Sequence, residues 1–388
     1  MPDQQTFRAD VLAALGASPE QVEELLRYNL DGYTAAGLEF RPAFPLDDEP
    51  FVSAWKHYAR KVDRAGTVSV LGRYLVQLRF PIQEGISGVE EYVDATRRGN
   101  VSKTLPVFGL ELAAPKQCTI EIYPTPAGAI PLLIVGARKD FESLVRALTC
   151  RNEPVPVPPS QGACMVAGYN NWHRFRLAER GFNGHGPFTA ESRSQAIGQL
   201  REHKDLYQDR FIILSDGPYS GVPASELQLE EGEWRRRSLI LRRDHEAAHY
   251  FTRRVLGCMR NNLRDELIAD YMGIVAARGS YSEDWFLRFL GIHADNGEGK
   301  GRRFLNYRGT PPLSGGAMLI LQTLVKRAAR NLEVFDRRFD HILRQPHMKP
   351  YTILAISALT LEEIASDTGD SLLADSFLQY APQGAAAS

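Results

Sequence analysis

Apolar positions recur at helical spacing in residues 21–30 and 50–62, and Ser18, followed by Glu20 and Gln21, marks an N-terminal cap for the first of these. Residues 118–123 alternate polar and apolar, 124–128 (Pro-Thr-Pro-Ala-Gly) are turn-rich, and 130–135 are β-branched and apolar. That order predicts a hairpin, after which residues 140–148 return to a helical pattern. Further on, 210–214 (Arg-Phe-Ile-Ile-Leu) reads as a buried strand broken by Asp216-Gly217-Pro218.

The next pattern is the longest. A helix is expected from around Glu233 through Val255, stopped by Gly257, and a second from Asn261 or Asn262, whose side chains suit an N-cap. The second helix has one apolar stripe, Leu263, Leu267, Tyr271 and Ile274. Its other stripe carries Glu266, Asp270, Gly273 and Ala277. The small residues allow close approach to the first helix, and acids that share a stripe with them make little sense on a solvated face and good sense facing a metal. Residues 284–290 and 314–332 and segments after Thr352 also read as helical. The aromatic run 285–290 is core packing, and 302–313 forms a loop able to overhang a site.

Alternating prolines in 153–159 hold an extended conformation that neither helix nor sheet accepts, which predicts a linker there. The expected organisation is a mixed α+β domain over 1–152, a linker over 153–160, a domain over 161–382 and a disordered tail over 383–388. The fold class is α+β, with the second domain predominantly helical around a small sheet.

Chemistry enters at Asp244-His245-Glu246-Ala247-Ala248-His249. Residues four apart share a helix face, so His245 and His249 can address one ion while Glu246 stands beside them, free to handle a proton. Catalytic zinc takes three protein ligands and leaves a position for water. Glu266, seventeen residues after His249, supplies the third. Asp270, one turn on, is placed to accept the second ring proton of a ligand histidine and fix its tautomer.

At these residues the chain resembles the gluzincin class of zinc metalloproteases, in which a second helix carries Glu-x-x-x-Asp. One membrane-associated subgroup writes it Glu-x-x-Ala-Asp-x-x-Gly, and this chain has Glu266, Ala269, Asp270 and Gly273 in those places. The resemblance covers about residues 239–278. It implies a metallopeptidase-like domain with His245, His249 and Glu266 as ligands, Glu246 as general base and Asp270 behind the ligands. In such folds a strand near the metal helix pairs with substrate, which makes residues 217–222 a candidate cleft wall. The chain departs from the class at Arg243, where an uncharged residue is usual, and in a short gap between His249 and Glu266. Residues 79–85, 168–172 and 261–273 are similar to an uncharacterised family of bacterial proteins, a likeness that implies no activity.

Composition narrows the alternatives. Hydrophobic residues make up 44% of the 388 and charged ones 24%, ordinary for a globular chain, and the formal net charge of -1 gives no bulk field to recruit nucleic acid or an anionic membrane. Arg235-Arg236-Arg237 and Arg242-Arg243 read as a solvated helix face; if functional, they favour an acidic substrate. No secretory signal opens the sequence and no apolar run reaches membrane-spanning length. With Cys118, Cys150, Cys164 and Cys258 scattered, a cytoplasmic protein with reduced thiols is expected.

The leading function is hydrolysis of a peptide or small amide by metal-activated water. Tyr307, Arg308, Tyr281 and His293 are candidates for substrate or oxyanion contacts, and His185, Asn170 and Asn171 for substrate contacts. Two histidines and a carboxylate are also the ligands of non-haem Fe(II) oxygenases, so Fe2+ stands beside Zn2+. A third reading is a binding protein whose metal only staples two helices.

Overall fold

The computed structural model describes residues 3–30, 33, 42–183, 198, 200, 202–260, 262–292 and 303–382, the side chains of 181–183 excepted. The chain is α+β, mostly helical with one small mixed sheet among the described residues. It divides into two compact units, residues 47–217 and residues 1–46 together with 218–388.

The unit of residues 47–217 holds the sheet. β1 (Cys118–Tyr123) and β2 (Ile130–Val135) form the expected antiparallel hairpin; β2 then pairs in parallel with β4 (Gln208–Ser215), and β3 (Ala163–Asn170) lies antiparallel on β4's other edge. β2 and β4 are central and nearly all buried, which is why both read as continuous apolar runs. Trp55 and Tyr58 of helix Phe51–Ala65 and Phe141 of helix Arg138–Thr149 pack with Leu133, Phe211 and Ile213 in one core.

Two features of this unit differ from the sequence expectation. The proline-rich stretch is no linker: it lies inside this unit, Val157 joins the core, and Arg146 Nε and Arg138 Nη2 donate to the Val155 and Pro158 carbonyls at 2.8 and 2.7 Å. An extended proline run offers carbonyls with few N–H groups to satisfy, and arginines of the neighbouring helix take them. Nor does the sheet belong with the metal-binding pattern. β4 is paired on both edges in this unit, while the His-Glu-Ala-Ala-His segment lies in the other.

That other unit is helical, with no strand among its described residues. Its two parts are tied by buried polar pairs far apart in sequence: Arg8 of helix Gln4–Ala14 meets Glu362 at 3.1 Å, and Asn29 donates to the same carboxylate at 2.8 Å. Helix Pro19–Tyr28 starts in the expected Ser18/Gln21 capping box. The long helix Gly315–Arg338 supplies much of the core through Leu321, Leu324, Val325, Leu332 and Phe335.

Two helices carry the site. Glu231–Val255 has Glu231 and Glu233 in its first turn and Arg253 and Arg254 in its last, both favourable to the helix dipole. Leu263–Arg278 is capped by Asn262, whose side chain accepts from the Asp265 N–H at 3.0 Å. The helices meet at Gly273, where an added Cβ would lie 2.6 Å from the Leu241 carbonyl oxygen. Gly273→Ala is therefore expected to destabilise the protein by about 1–3 kcal/mol, the usual cost of overpacking, read as a lowered melting temperature. A variant as stable as the parent would contradict this close approach.

Candidate metal site

Helix Glu231–Val255 places His245 and His249 one turn apart, and helix Leu263–Arg278 brings Glu266 and Asp270 against them. His245 Nε2 lies 3.1 Å from His249 Nε2 and 3.7 Å from Glu266 Oε2, and His249 Nε2 lies 3.6 Å from Glu266 Oε1. Ligands about 2.0–2.1 Å from a tetrahedral ion sit about 3.3 Å from one another. The three donors thus enclose a space that fits one ion. Among the described residues, they form the one group of His, Cys, Asp or Glu with ligand atoms close enough to share a metal.

Asp270 sets the orientation of the first histidine. Its Oδ1 accepts from His245 Nδ1 at 2.8 Å and from Tyr219 Oη at 2.5 Å, so the ring proton of His245 resides on Nδ1 and the Nε2 lone pair faces the other donors. Tyr219 is delivered by a short turn at residues 219–221 that is fastened to the first site helix. Ser238 Oγ accepts its N–H at 3.0 Å, Arg242 donates to the Pro218 carbonyl at 3.2 Å, and Trp234 Nε1 donates to the Val222 carbonyl at 2.7 Å. Residues 217–222, expected as a cleft wall, are instead this clamp.

Arg303 is the second residue that the sequence did not single out. Its guanidinium meets Glu266 Oε2 at 2.6 Å and Asp270 Oδ2 at 2.9 Å, and it lies over the Tyr219 ring, 5.3 Å from its centroid. Two carboxylates buried side by side cost several kcal/mol each unless neutralised, which explains why a cation is drawn in. The titration behaviour follows. Burial would raise Glu266, but the adjacent His249 imidazole and the charge of Arg303 hold it well below the usual carboxylate range. Asp270 is likewise lowered, as Arg303 and His245 outweigh burial. Burial would depress the His249 imidazole, yet the adjacent Glu266 carboxylate lifts it to about 9. Burial, with Asp270 alongside, pushes the Tyr219 hydroxyl well up.

Glu246 is half-buried beside the pair and forms no hydrogen bond or ion pair with a described residue. Of the downstream candidates, Tyr307 is joined to the site through Arg303, whose Nε donates to its hydroxyl at 3.3 Å. Tyr281 is not brought to the ligands: it is 2% exposed in the core, packed on Tyr271, with its N–H on Asp336. Arg308 is exposed and touches none of the ligands. His293 and His185 lie outside the described residues. Asn171 is buried in the other unit, where it donates to Asp209 and Tyr58 and caps the helix Trp172–Asn183, which gives it a structural role. Asn170 Oδ1 accepts from Gln208 across the β3–β4 pair.

No described helix is long and apolar enough to cross a membrane. A family described as "Family of unknown function (DUF7005)" matches residues 10–368. No curated protein and no solved structure matches the chain.

Proposed function

The chain belongs to the DUF7005 family, whose description assigns no activity, and from its own residues we propose that it is a zinc-dependent hydrolase of amide or peptide bonds. The observation that supports this best is the convergence of His245, His249 and Glu266 at ligand spacing, beside a carboxylate, Glu246, that forms no hydrogen bond or ion pair with a described residue. An ion held there supplies a water acidified to near neutrality and a polarised substrate carbonyl. Glu246 then takes the water's proton and passes it to the leaving amine. Asp270, fixed by Tyr219, keeps His245 in the ligating tautomer, and Arg303 offsets the charge of the two buried carboxylates. We assign the oxyanion contact to Tyr307, the downstream hydroxyl joined to the site. The substrate class is a peptide or small amide. A cytoplasmic location agrees with the four cysteines, all of which are free.

The test is elemental analysis of anaerobically purified protein, paired with a peptide-library hydrolysis assay and a 2-oxoglutarate turnover assay. Stoichiometric zinc with hydrolysis and no 2-oxoglutarate consumption is expected. Iron with 2-oxoglutarate turnover would make the protein an oxygenase, and firmly held metal without any turnover would make the site a staple between helices.

A further inference from the structure

Residues 47–217 contain a pocket of about 190 Å3 lined by four cationic side chains, Arg73, Arg79, Lys103 and Arg176, together with Tyr74 and Ser102. No carboxylate is among its lining residues. Several other cations of this unit are matched by acids: Arg98 by Glu90 and Asp94, Arg138 and Arg146 by Glu142, Arg174 by Asp209, Arg210 by Glu49 and Lys56 by Asp48. The four pocket cations form no ion pair with a described residue, although the chain carries one more acid than it has lysines and arginines. Clustered like charges repel, and a concave wall concentrates their field. The Arg79 guanidinium registers it: burial first and then Arg176 push its pKa down, with no carboxylate acting the other way. Burial depresses the His173 imidazole, and Arg176 adds to that.

Three of the lining side chains, Arg79, Tyr74 and Trp172, are held in place. Arg79 donates to the Gly72 and Arg73 carbonyls at 2.9 and 3.4 Å through Nε and Nη2, which leaves Nη1 without a described partner. Tyr74 stacks on Tyr58 with centroids 4.0 Å apart and receives Lys61 Nζ on its hydroxyl at 2.8 Å. Trp172 Nε1 donates to the Thr96 carbonyl at 2.9 Å, and its ring packs so closely on Gly99 that an added Cβ there would lie 2.5 Å away.

We propose that this pocket binds a small phosphorylated ligand through its phosphate group. A phosphate carries close to two negative charges and three acceptor oxygens, which suits three guanidinium groups and an ammonium; a carboxylate would leave most of that charge uncompensated. The volume is below the roughly 300–1,000 Å3 that encloses a whole drug-sized ligand. It takes a headgroup, and the remainder of the ligand extends outward. This site lies in a different unit from the metal ligands and does not depend on the hydrolase reading.

The test is calorimetric titration of the full chain at low salt with inorganic phosphate, glycerol phosphate, a short single-stranded oligonucleotide and vesicles of anionic lipid. Saturable one-to-one binding of phosphate and glycerol phosphate is expected. Arg73→Ala and Arg176→Ala, both at exposed side chains, should each weaken it about tenfold, the size of one lost charged hydrogen bond. Arg64→Ala, an equal loss of charge at an exposed position outside the pocket, should leave it unchanged. Circular dichroism confirms that each variant folds, and Lys103→Ala replaces any that does not. The proposal is overturned by no saturable binding at millimolar phosphate, by equal weakening in Arg64→Ala, or by binding confined to the oligonucleotide or vesicles.

Discussion

His249→Ala is expected to lose stoichiometric metal binding, because two donors remain where catalytic zinc takes three and the shell cannot close around the ion. His245→Ala and Glu266→Ala should behave alike. Asp270→Asn keeps all three ligands and loosens only the orientation of His245, so a loss of about 10–100-fold in affinity is expected. Proton linkage gives a second signature. With the His249 imidazole lifted to about 9, metal entering at neutral pH must expel its proton. The competing protonated form is dominant below that value and vanishes above it, so apparent affinity should climb as pH rises and level off past about 9. Equilibrium dialysis of each variant against zinc, repeated across pH, reads both effects. Stoichiometric binding by His249→Ala, or an affinity that is flat across neutral pH, would sink the assignment.

Glu246→Gln separates chemistry from metal holding. The amide keeps the side chain's size and disturbs no hydrogen bond with a described residue, so folding and metal content should be those of the parent. Hydrolysis should fall by about 10²–10⁴-fold, the range associated with a general base. Metal content and turnover are measured on one preparation, with a substrate found in the peptide-library assay. Full metal with unimpaired hydrolysis would refute the role of Glu246, and a staple would show no turnover in either protein.

The site helices were legible because their information is local. The four-residue spacing of Glu266 and Asp270 puts both on one face of the helix, and both meet His245 there, Glu266 Oε2 at 3.7 Å from Nε2 and Asp270 Oδ1 at 2.8 Å from Nδ1. The observed boundaries, 231–255 and 263–278, differ from the expected ones by about a turn or less. Tyr219 and Arg303 could not be read this way. Each reaches the site from a turn or loop, where no periodicity says which side chain points inward; of the stretches containing them, 217–222 stood out only through the family resemblance and 302–313 only by composition. The domain boundary failed for a related reason. Prolines 154–159 report the local conformation correctly, but whether an extended segment is free or fastened depends on Arg138 and Arg146, whose engagement is a tertiary fact. The tie between Arg8 and Glu362 spans almost the whole chain and leaves no trace in any local window.

That tie also bears on how the protein is made. Residues 47–217 are continuous in sequence and can condense as soon as they leave the ribosome, whereas the helical unit waits for its last segments. Until Glu362 is synthesised, the guanidinium of Arg8 lacks its counter-charge, and helices Gln4–Ala14 and Pro19–Tyr28 lack the surface on which they close. Helices Gln4–Ala14 and Pro19–Tyr28 thus settle only after a segment made much later, and removing Glu362 should loosen them first.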